Sequence, residues 1–196
     1  RAEPDYTIKT NEWIINWGAG HFRGHKTPGA TGTRVLNPAH KLCICINKID
    51  FFRAMDAEDV SIPSWSTSQG TASSWLAQGK KVYCRTETEG KDGSGIVVAK
   101  KGPELVYAPL YTQAVDADEE YRVHLFQHKP IFDLEKWQPG ATQAQKDVRT
   151  GSNGWIYVRD TVVPDGAKEQ AIRASKALGM DFCAVDLLYN SKTQVG

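Results

Sequence analysis

The sequence lacks several features that would assign it to a class. No apolar run approaches the roughly 20 residues that a membrane-spanning helix requires. The net charge is only +1, which excludes a general attraction to nucleic acid or to an anionic membrane surface. No secretory leader is visible at the start, so we expect a cytoplasmic protein. The chain begins with Arg1 rather than Met, and we expect further residues to precede it.

Cysteine is also scarce. The four cysteines fall in mostly apolar surroundings and in no zinc-binding or redox spacing; they are Cys43, Cys45, Cys84 and Cys183. A disulfide framework is therefore not expected, and reduced thiols are typical of a cytosolic protein. The composition that remains, 40% hydrophobic and 24% charged over 196 residues, is that of one globular domain or two small ones.

The most informative stretch is a predicted hairpin. Residues 82–85 and 96–99 are rich in β-branched and aromatic side chains, and a loop containing Gly90, Gly93 and Gly95 joins them. Glycines let a backbone approach a ligand closely, and consecutive free amides bind anions. Arg85 on the first strand and Lys91 in the loop suit phosphate. We expect this loop to be mobile; the alternative is an ordinary exposed hairpin.

Further elements follow from periodicity and from breaking residues. Apolar residues at helical spacing predict one helix over residues 37–55, with Asn37 as the N-cap and Pro38 at its first position. A short helix is predicted over residues 71–78 and a strand over residues 105–108. Residues 110–113, after Pro109, are interpreted as the connection between two halves of the chain.

The second half predicts another antiparallel hairpin, followed by a loop, a helix and a strand. Alternation predicts strands at residues 121–125 and 131–137, with Lys129 and Pro130 in the turn. The outer face of this hairpin, in solvent, is the alternative location for Arg122 and Lys136. The remaining predicted elements are a polar, mobile loop at 138–153, a strand at 155–158, a helix at 167–178 and a strand at 182–188.

Asp186 interrupts the last of these strands, which is otherwise apolar. A carboxylate among Val185, Leu187 and Leu188 costs free energy unless it is paired or bound to a metal. We therefore expect Asp186 to lie in or at the interior and to be functional. The alternative is a residue at the end of a strand that points into solvent.

The order of these parts resembles the ATP-grasp superfamily. The resemblance extends over residues 37–196, and no single motif in it is strong by itself. Its most specific segments are residues 120–124, EYRVH, and residues 177–186, ALGMDFCAVD. Within the superfamily the chain is similar to the branch of ribosomal-protein glutamate ligases and related phage-encoded proteins.

The resemblance implies an α+β fold in which two α+β subdomains hold a nucleotide between them, after a partial N-terminal domain. Residues 1–60 would be the remnant of that domain with a connecting helix. Residues 61–112 would form the N-terminal subdomain with the glycine-rich lid, and residues 113–196 the C-terminal subdomain. The family's metal site is completed by a Glu and an Asn on a further strand. The sequence stops at Gly196, before such a strand, so either the strand follows Gly196 or this chain has lost it.

Residue roles are also implied by the resemblance alone. Three basic residues are expected at the transferred phosphate: Arg122, Lys136 and Arg149. The residues expected to bind nucleotide are Lys48, Arg85, Gly90, Gly93, Ser94, Gly95, Leu110, Tyr111, Thr112, Glu120 and Asn153. Asp186 is the expected magnesium ligand. Arg85 stands where the family usually has lysine, and Tyr111 where an acidic residue is common.

The implied reaction is activation of a carboxylate by ATP with Mg²⁺, followed by attack of an amine to form an amide. The substrates would be small molecules, amino acids or peptides that carry these groups, and an oligomeric state is left open. The alternative is a non-catalytic protein that binds nucleotide, or serves as an interaction module, on a degraded ATP-grasp fold. Fold resemblance alone does not decide between them.

Overall fold

A computed structural model describes residues 7–16, 25–26, 34–90, 92–159 and 161–193. Its first elements are four very short strands that form two parallel pairs. Strand β1 (Thr7–Ile8) pairs with β3 (His25–Lys26), and β2 (Trp13–Ile15) pairs with β4 (Arg34–Leu36). The assignment of residues 1–60 to a preceding domain stays a prediction, and much of that segment lies outside the described residues.

The predicted single helix over residues 37–55 is wrong in one respect, because two helices occupy the region. Helix α1 (Ala39–Ile46) ends at Asn47, and α2 (Lys48–Ala57) begins directly after it. The Asn47 side chain accepts hydrogen bonds from the backbone N–H groups of Ile49 and Asp50, at 3.0 and 3.3 Å. Asn47 is thus the N-cap of α2, and the apolar residues of the sequence keep a helical interval across the break.

Asn37 is not the N-cap that the sequence predicts. Its backbone is left-handed, with φ 55°, and α1 has no side-chain cap. The Asn37 carboxamide instead accepts from the N–H groups of Asp181 and Phe182, both at 3.0 Å, and donates to the Phe182 carbonyl at 2.6 Å. The asparagine therefore connects the start of α1 to a segment far along the chain.

The N-terminal sheet contains four antiparallel strands in the order β5-β8-β6-β7. Its strands are β5 (Trp65–Ser66), β6 (Val82–Arg85), β7 (Ile96–Ala99) and β8 (Leu110–Gln113). Helix α3 (Gln69–Ala77), capped by Ser68, packs on the sheet through Ala72 and Leu76. The predicted hairpin is confirmed as β6 and β7; residues 82–99 are called the lid hairpin below.

Two predictions within this sheet are wrong. Residues 105–108 form no strand, and residues 110–113, interpreted as a connection, form β8 between β5 and β6. Leu110, Tyr111 and Thr112 are almost fully buried there. The Tyr111 hydroxyl accepts from the Ala108 N–H at 2.8 Å and donates to the Val106 carbonyl at 3.2 Å. These two hydrogen bonds satisfy backbone groups of residues 105–108, the segment that forms no strand.

The C-terminal sheet also has four antiparallel strands, in the order β11-β10-β9-β12. They are β9 (Glu119–Phe126), β10 (Lys129–Trp137), β11 (Ile156–Val158) and β12 (Phe182–Tyr189). Helix α5 (Asp165–Ala177) covers one face, where Val123, Leu125 and Ala171 are buried together. The opposite face is left free to form one wall of a cleft.

Two connections in this half differ from expectation. The β9–β10 turn lies at Gln127 and His128, both with positive φ, two residues before the predicted Lys129 and Pro130. The loop predicted at residues 138–153 contains helix α4 (Gln143–Asp147), which begins with a capping box formed by Thr142 and Gln145. Among the described residues, no helix is long and apolar enough to span a membrane.

Candidate active site

A cleft of about 800 Å³ lies between the lid hairpin and the free face of the C-terminal sheet. Nine of the predicted site residues line it together: Lys48, Arg85, Gly90, Gly93, Glu120, Arg122, Lys136, Arg149 and Asp186. They come from α2, from strands of both sheets and from the loops that connect those strands, so the fold gathers residues that are distant in sequence into one site.

The other predicted site residues do not line the cleft. Leu110, Tyr111 and Thr112 are buried inside the N-terminal sheet and do not line the cleft. The Ser94 hydroxyl donates to Glu87 at 3.0 Å, and the neighbouring Gly95 closes the base of the loop. The Asn153 carboxamide donates to the Val148 carbonyl at 2.7 Å and stabilises its own loop.

Arg85 and Lys48 form a cationic site in the cleft. Arg85 is the last residue of β6, its Nε is buried without a hydrogen-bond partner among the described residues, and burial lowers its pKa. Burial and the charge of Arg85 also lower the pKa of Lys48. Lys48 begins α2, where the helix dipole disfavours a cation. An unpartnered buried guanidinium and a lysine with a lowered pKa are typical of a site that binds an anion.

Lys48 is also attached to the lid hairpin through its backbone. Its N–H donates to the carbonyl of Thr88 at 2.9 Å, across the break between α1 and α2. The helix start and the lid loop therefore share one hydrogen bond at the edge of the cleft.

Asp186 and Arg122 form a cross-strand ion pair on the floor of the cleft. They lie directly opposite each other on β12 and β9, and the guanidinium donates twice to the carboxylate, at 2.6 and 2.8 Å. The Asp186 side chain is 47% exposed, so the prediction of an interior carboxylate is wrong. Alternation explains this, because Val185 and Leu187 take the face that packs on α5 while Asp186 faces the cleft.

A second acidic residue, Glu120, lies deeper and holds two cations. It is only 7% exposed, its Oε1 accepts from Lys136 at 2.8 Å, and its Oε2 lies 3.7 Å from an Arg149 nitrogen. Burial raises the pKa of Glu120, and the charge of Asp186 adds to that effect against the influence of Lys136. Lys136 also donates to the Arg149 carbonyl, and Arg149 donates to the Ala117 carbonyl at 2.7 Å.

Sequence reasoning missed two aromatic residues that support these cations. The Arg122 guanidinium lies 4.2 Å from the ring centre of Tyr157, and that of Arg149 lies 5.2 Å from the ring centre of Trp155. Burial, followed by the charge of Asp186, raises the pKa of Tyr157 to about 12. The available signal was that Trp155 and Tyr157 are two residues apart in the strand predicted at 155–158, since that interval places both rings on one face of a strand.

The lid loop approaches the opposite wall of the cleft. Gly93 has φ +79°, and a Cβ added there would lie 2.9 Å from Val148 Cγ1 and 3.1 Å from Thr150 Cγ2. Glycine is therefore required both by the backbone conformation and by the close approach. The predicted mobility of the loop stays a prediction, and Lys91 lies outside the described residues.

The carboxylates allow a test of the expected metal. Mg²⁺ is commonly held by one or two carboxylates together with phosphate oxygens. Asp186 and Glu120 provide such donors in the cleft, although Asp186 is engaged by Arg122. In the part of the chain that the structure describes, no group of three His, Cys, Asp or Glu residues would hold a metal ion. The residues fit a metal bound jointly with phosphate, not one held by protein ligands alone.

Comparison with known proteins gives a result only for structures. No protein-family profile matches the chain, and no curated protein matches it. D-alanine–D-alanine ligase from Bacillus anthracis superposes with a TM-score of 0.61 at 13% identity, over 80% of this chain and 57% of the ligase. The ATP-grasp ligase PsnB, complexed with a minimal precursor, Mg and ADP, gives 0.58 at 19% identity, over 83% and 52%.

A third structure, the ADP complex of N5-carboxyaminoimidazole ribonucleotide synthetase, gives a TM-score of 0.60 at 14% identity, over 83% of this chain and 46% of the synthetase. The chain has an ATP-grasp fold. The predicted α+β class and the resemblance to ATP-grasp proteins are thereby confirmed. At these identities the likeness establishes the fold, and the chain spans about half the length of the solved ATP-grasp structures.

Proposed function

We propose that this ATP-grasp chain is part of an ATP-dependent carboxylate–amine ligase. The observation that carries the proposal is the pair of cations, Lys48 and Arg85, that face the cleft with no ion-paired carboxylate among the described residues. A triphosphate supplies the anionic oxygens that such a site lacks. The solved structures to which the chain is similar include ligases, and one of these structures contains Mg and ADP.

The residues of the cleft would have different roles according to their position. Arg85 and Lys48 would bind phosphate oxygens, while Arg122, Lys136 and Arg149 would offset charge on the transferred phosphoryl group. Val115 and Ala117 line the cleft just after β8 and would replace residues 110–112 as the adenine wall. The lid hairpin would exclude water and protect an acyl phosphate from hydrolysis.

Mg²⁺ would be held by Asp186, with Glu120 nearby, and would neutralise phosphate charge when bound. Arg122 would then share Asp186 with the metal or move toward phosphate. The substrates proposed are an amino acid or peptide and a second small molecule, in line with the D-alanine ligase and the precursor-peptide complexes among the neighbours. A cytoplasmic location fits a reaction that consumes ATP.

The proposal is tested first by binding and then by turnover. Calorimetry should show ATP binding that strengthens with Mg²⁺, and ADP should form when mixtures of amino acids or peptides are added. Asp186→Asn should abolish ADP formation while the far-ultraviolet circular dichroism is unchanged, because the side chain is exposed to the cleft and is not part of the core. Absence of binding at millimolar ATP would remove the ligase proposal.

A non-catalytic nucleotide-binding protein is the second candidate. It is favoured by the bidentate bond that occupies both oxygens of Asp186, and by the lack of a metal-binding group of three among the described residues. The discriminating result is ATP binding that is independent of Mg²⁺ and is followed by no ADP formation with any carboxylate and amine offered.

A further inference from the structure

Asp147 is a buried carboxylate outside the set of residues with an assigned role. It is the last residue of α4, in the connection between β10 and β11, and its side chain is 5% exposed. Its Oδ1 accepts from Lys81 and, at 3.0 Å, from Gln143, while its Oδ2 lies 3.1 Å from Lys100 Nζ. Two ammonium groups thus neutralise one carboxylate that water scarcely reaches.

The two lysines occupy the same end of the lid hairpin. Lys81 precedes β6 and Lys100 follows β7, and their neighbours Val82 and Ala99 are paired across the two strands. Asp147 belongs to the C-terminal sheet's connection, so both ion pairs cross from one sheet to the other. A contact of this kind restricts movement between the sheets rather than within either of them.

Within three residues of Asp147 the same segment also contacts the other end of the hairpin. Val148 and Thr150 lie against Gly93 at the tip of the lid loop. Residues 147–150 therefore contact the lid hairpin at its base and at its tip. Arg149, between these contacts, directs its guanidinium into the cleft toward the Ala117 carbonyl and Glu120.

We propose that Asp147 is a positioning residue that fastens the segment carrying Arg149 to the lid hairpin carrying Arg85, before any nucleotide binds. The two arginines line one cleft, but Arg85 lies on a strand of the N-terminal sheet and Arg149 in a connection of the C-terminal sheet. Without a fastening their separation would vary with every opening of the lid hairpin. Asp147 fixes that separation by pairing with Lys81, next to the first strand of the hairpin, and with Lys100, next to the second. The consequence for phosphoryl transfer rests on the proposed function, whereas the fastening itself does not.

The experiment measures amide hydrogen exchange in nucleotide-free protein. Asp147→Asn should raise exchange about tenfold in the lid hairpin and in residues 143–150, because two ion pairs and their geometry are lost together. Asp133→Asn is the matched control, since Asp133 pairs with Lys168 at 2.8 Å entirely within the C-terminal sheet and its helix. It should leave exchange in the lid hairpin unchanged.

Lys100→Met is the second variant. Lys100 is 51% exposed, so its replacement keeps the fold even if Asp147→Asn does not, and it should raise hairpin exchange by a smaller factor. Adding Lys100→Met to Asp147→Asn should raise exchange no further, because the carboxylate is already gone. Unchanged exchange in either single variant, or fully additive effects in the pair, would overturn the proposal.

A third measurement connects the fastening to function. In Asp147→Asn the turnover rate should fall more than the affinity for ATP, because Arg149 acts on the phosphoryl group that moves while Arg85 and Lys48 still bind nucleotide. Failure of the wild type to bind ATP would contradict the proposed function, yet the exchange data on the empty protein would still decide the fastening.

Discussion

Replacing Arg85 by methionine should make the empty protein more stable and the nucleotide-loaded protein less stable than the wild type. Arg85 Nε is buried with no partner among the described residues, and burial lowers its pKa, so this guanidinium costs folding free energy. A buried polar group without a partner costs about 1–3 kcal/mol. Methionine keeps an unbranched apolar stem of similar length and removes that cost.

Nucleotide should reverse the order of stability. A ligand present at 1,000 times its Kd stabilises the wild type by about 4.1 kcal/mol, and the variant should lose most of this, which is more than it gains in the empty state, because its phosphate contact is gone. Urea unfolding at pH 7, with and without ATP and Mg²⁺, measures both terms. Lys101→Met is the control, because Lys101 is an exposed cation near the same sheet and should change neither curve.

The reasoning fails if Arg85→Met destabilises the empty protein by more than the control does. That result would mean that the charge of Arg85 is already compensated within the empty protein and that the cleft does not require an anion. It would also fail if ATP stabilised the variant as much as the wild type.

Three further predictions concern the surroundings of the cleft. Asn37→Ala should destabilise the protein by about 2–4 kcal/mol, because the carboxamide accepts two hydrogen bonds and donates two that alanine cannot make. Asn37→Gly should destabilise it slightly less because φ is 55°, and equal stability of Asn37→Ala and wild type in urea would contradict this. Gly93→Ala should weaken ATP binding in calorimetry and raise exchange in the lid loop, whereas Gly102→Ala, with nothing within 4 Å of the added Cβ, should do neither. Burial alone would raise the pKa of Asp147, but hydrogen bonds from Lys81, Gln143 and Lys100 outweigh it and hold that pKa below the usual value of an aspartate. The stability that Asp147 contributes is then present above the unfolded pKa and disappears as pH falls through the folded pKa, so the difference in urea stability between wild type and Asp147→Asn should shrink in acid.

The lid hairpin was predictable because its signals are local, whereas the residues of the cleft were predicted from the resemblance to the ATP-grasp superfamily. Branched residues in β6 and β7 and glycines between them specify a hairpin wherever it lies in the molecule. The break at Asn47 was not predictable from spacing, since the apolar residues keep a helical interval from Leu42 to Met55. Leu110 and Tyr111 became a central strand only because β5 and β6 flank them, which is a property of the assembled sheet.

Asp186 illustrates a different failure. Its neighbours are apolar, and that pattern was interpreted as an interior position, although alternation along β12 already directs it away from Val185 and Leu187. The ion pair with Arg122 depends on the register between β9 and β12, which no local pattern contains. Asp147 was missed because it lay in a segment interpreted as a mobile loop, and its partners are separated from it by 66 and 47 residues in the numbering.

The connections of α1 bear on how this protein can be divided or recombined. Asn37 bonds to Asp181 and Phe182, Lys41 donates to the Gly179 carbonyl, and the N–H of Lys48 bonds to Thr88. The segment from Asn37 to Lys48 is thus attached both to the lid loop and to the residues around the start of β12. A fragment that begins at residue 61 would retain both sheets but lose this attachment together with Lys48. Gene fusions or transfers that preserve the proposed nucleotide site are therefore expected to join the chain before Asn37.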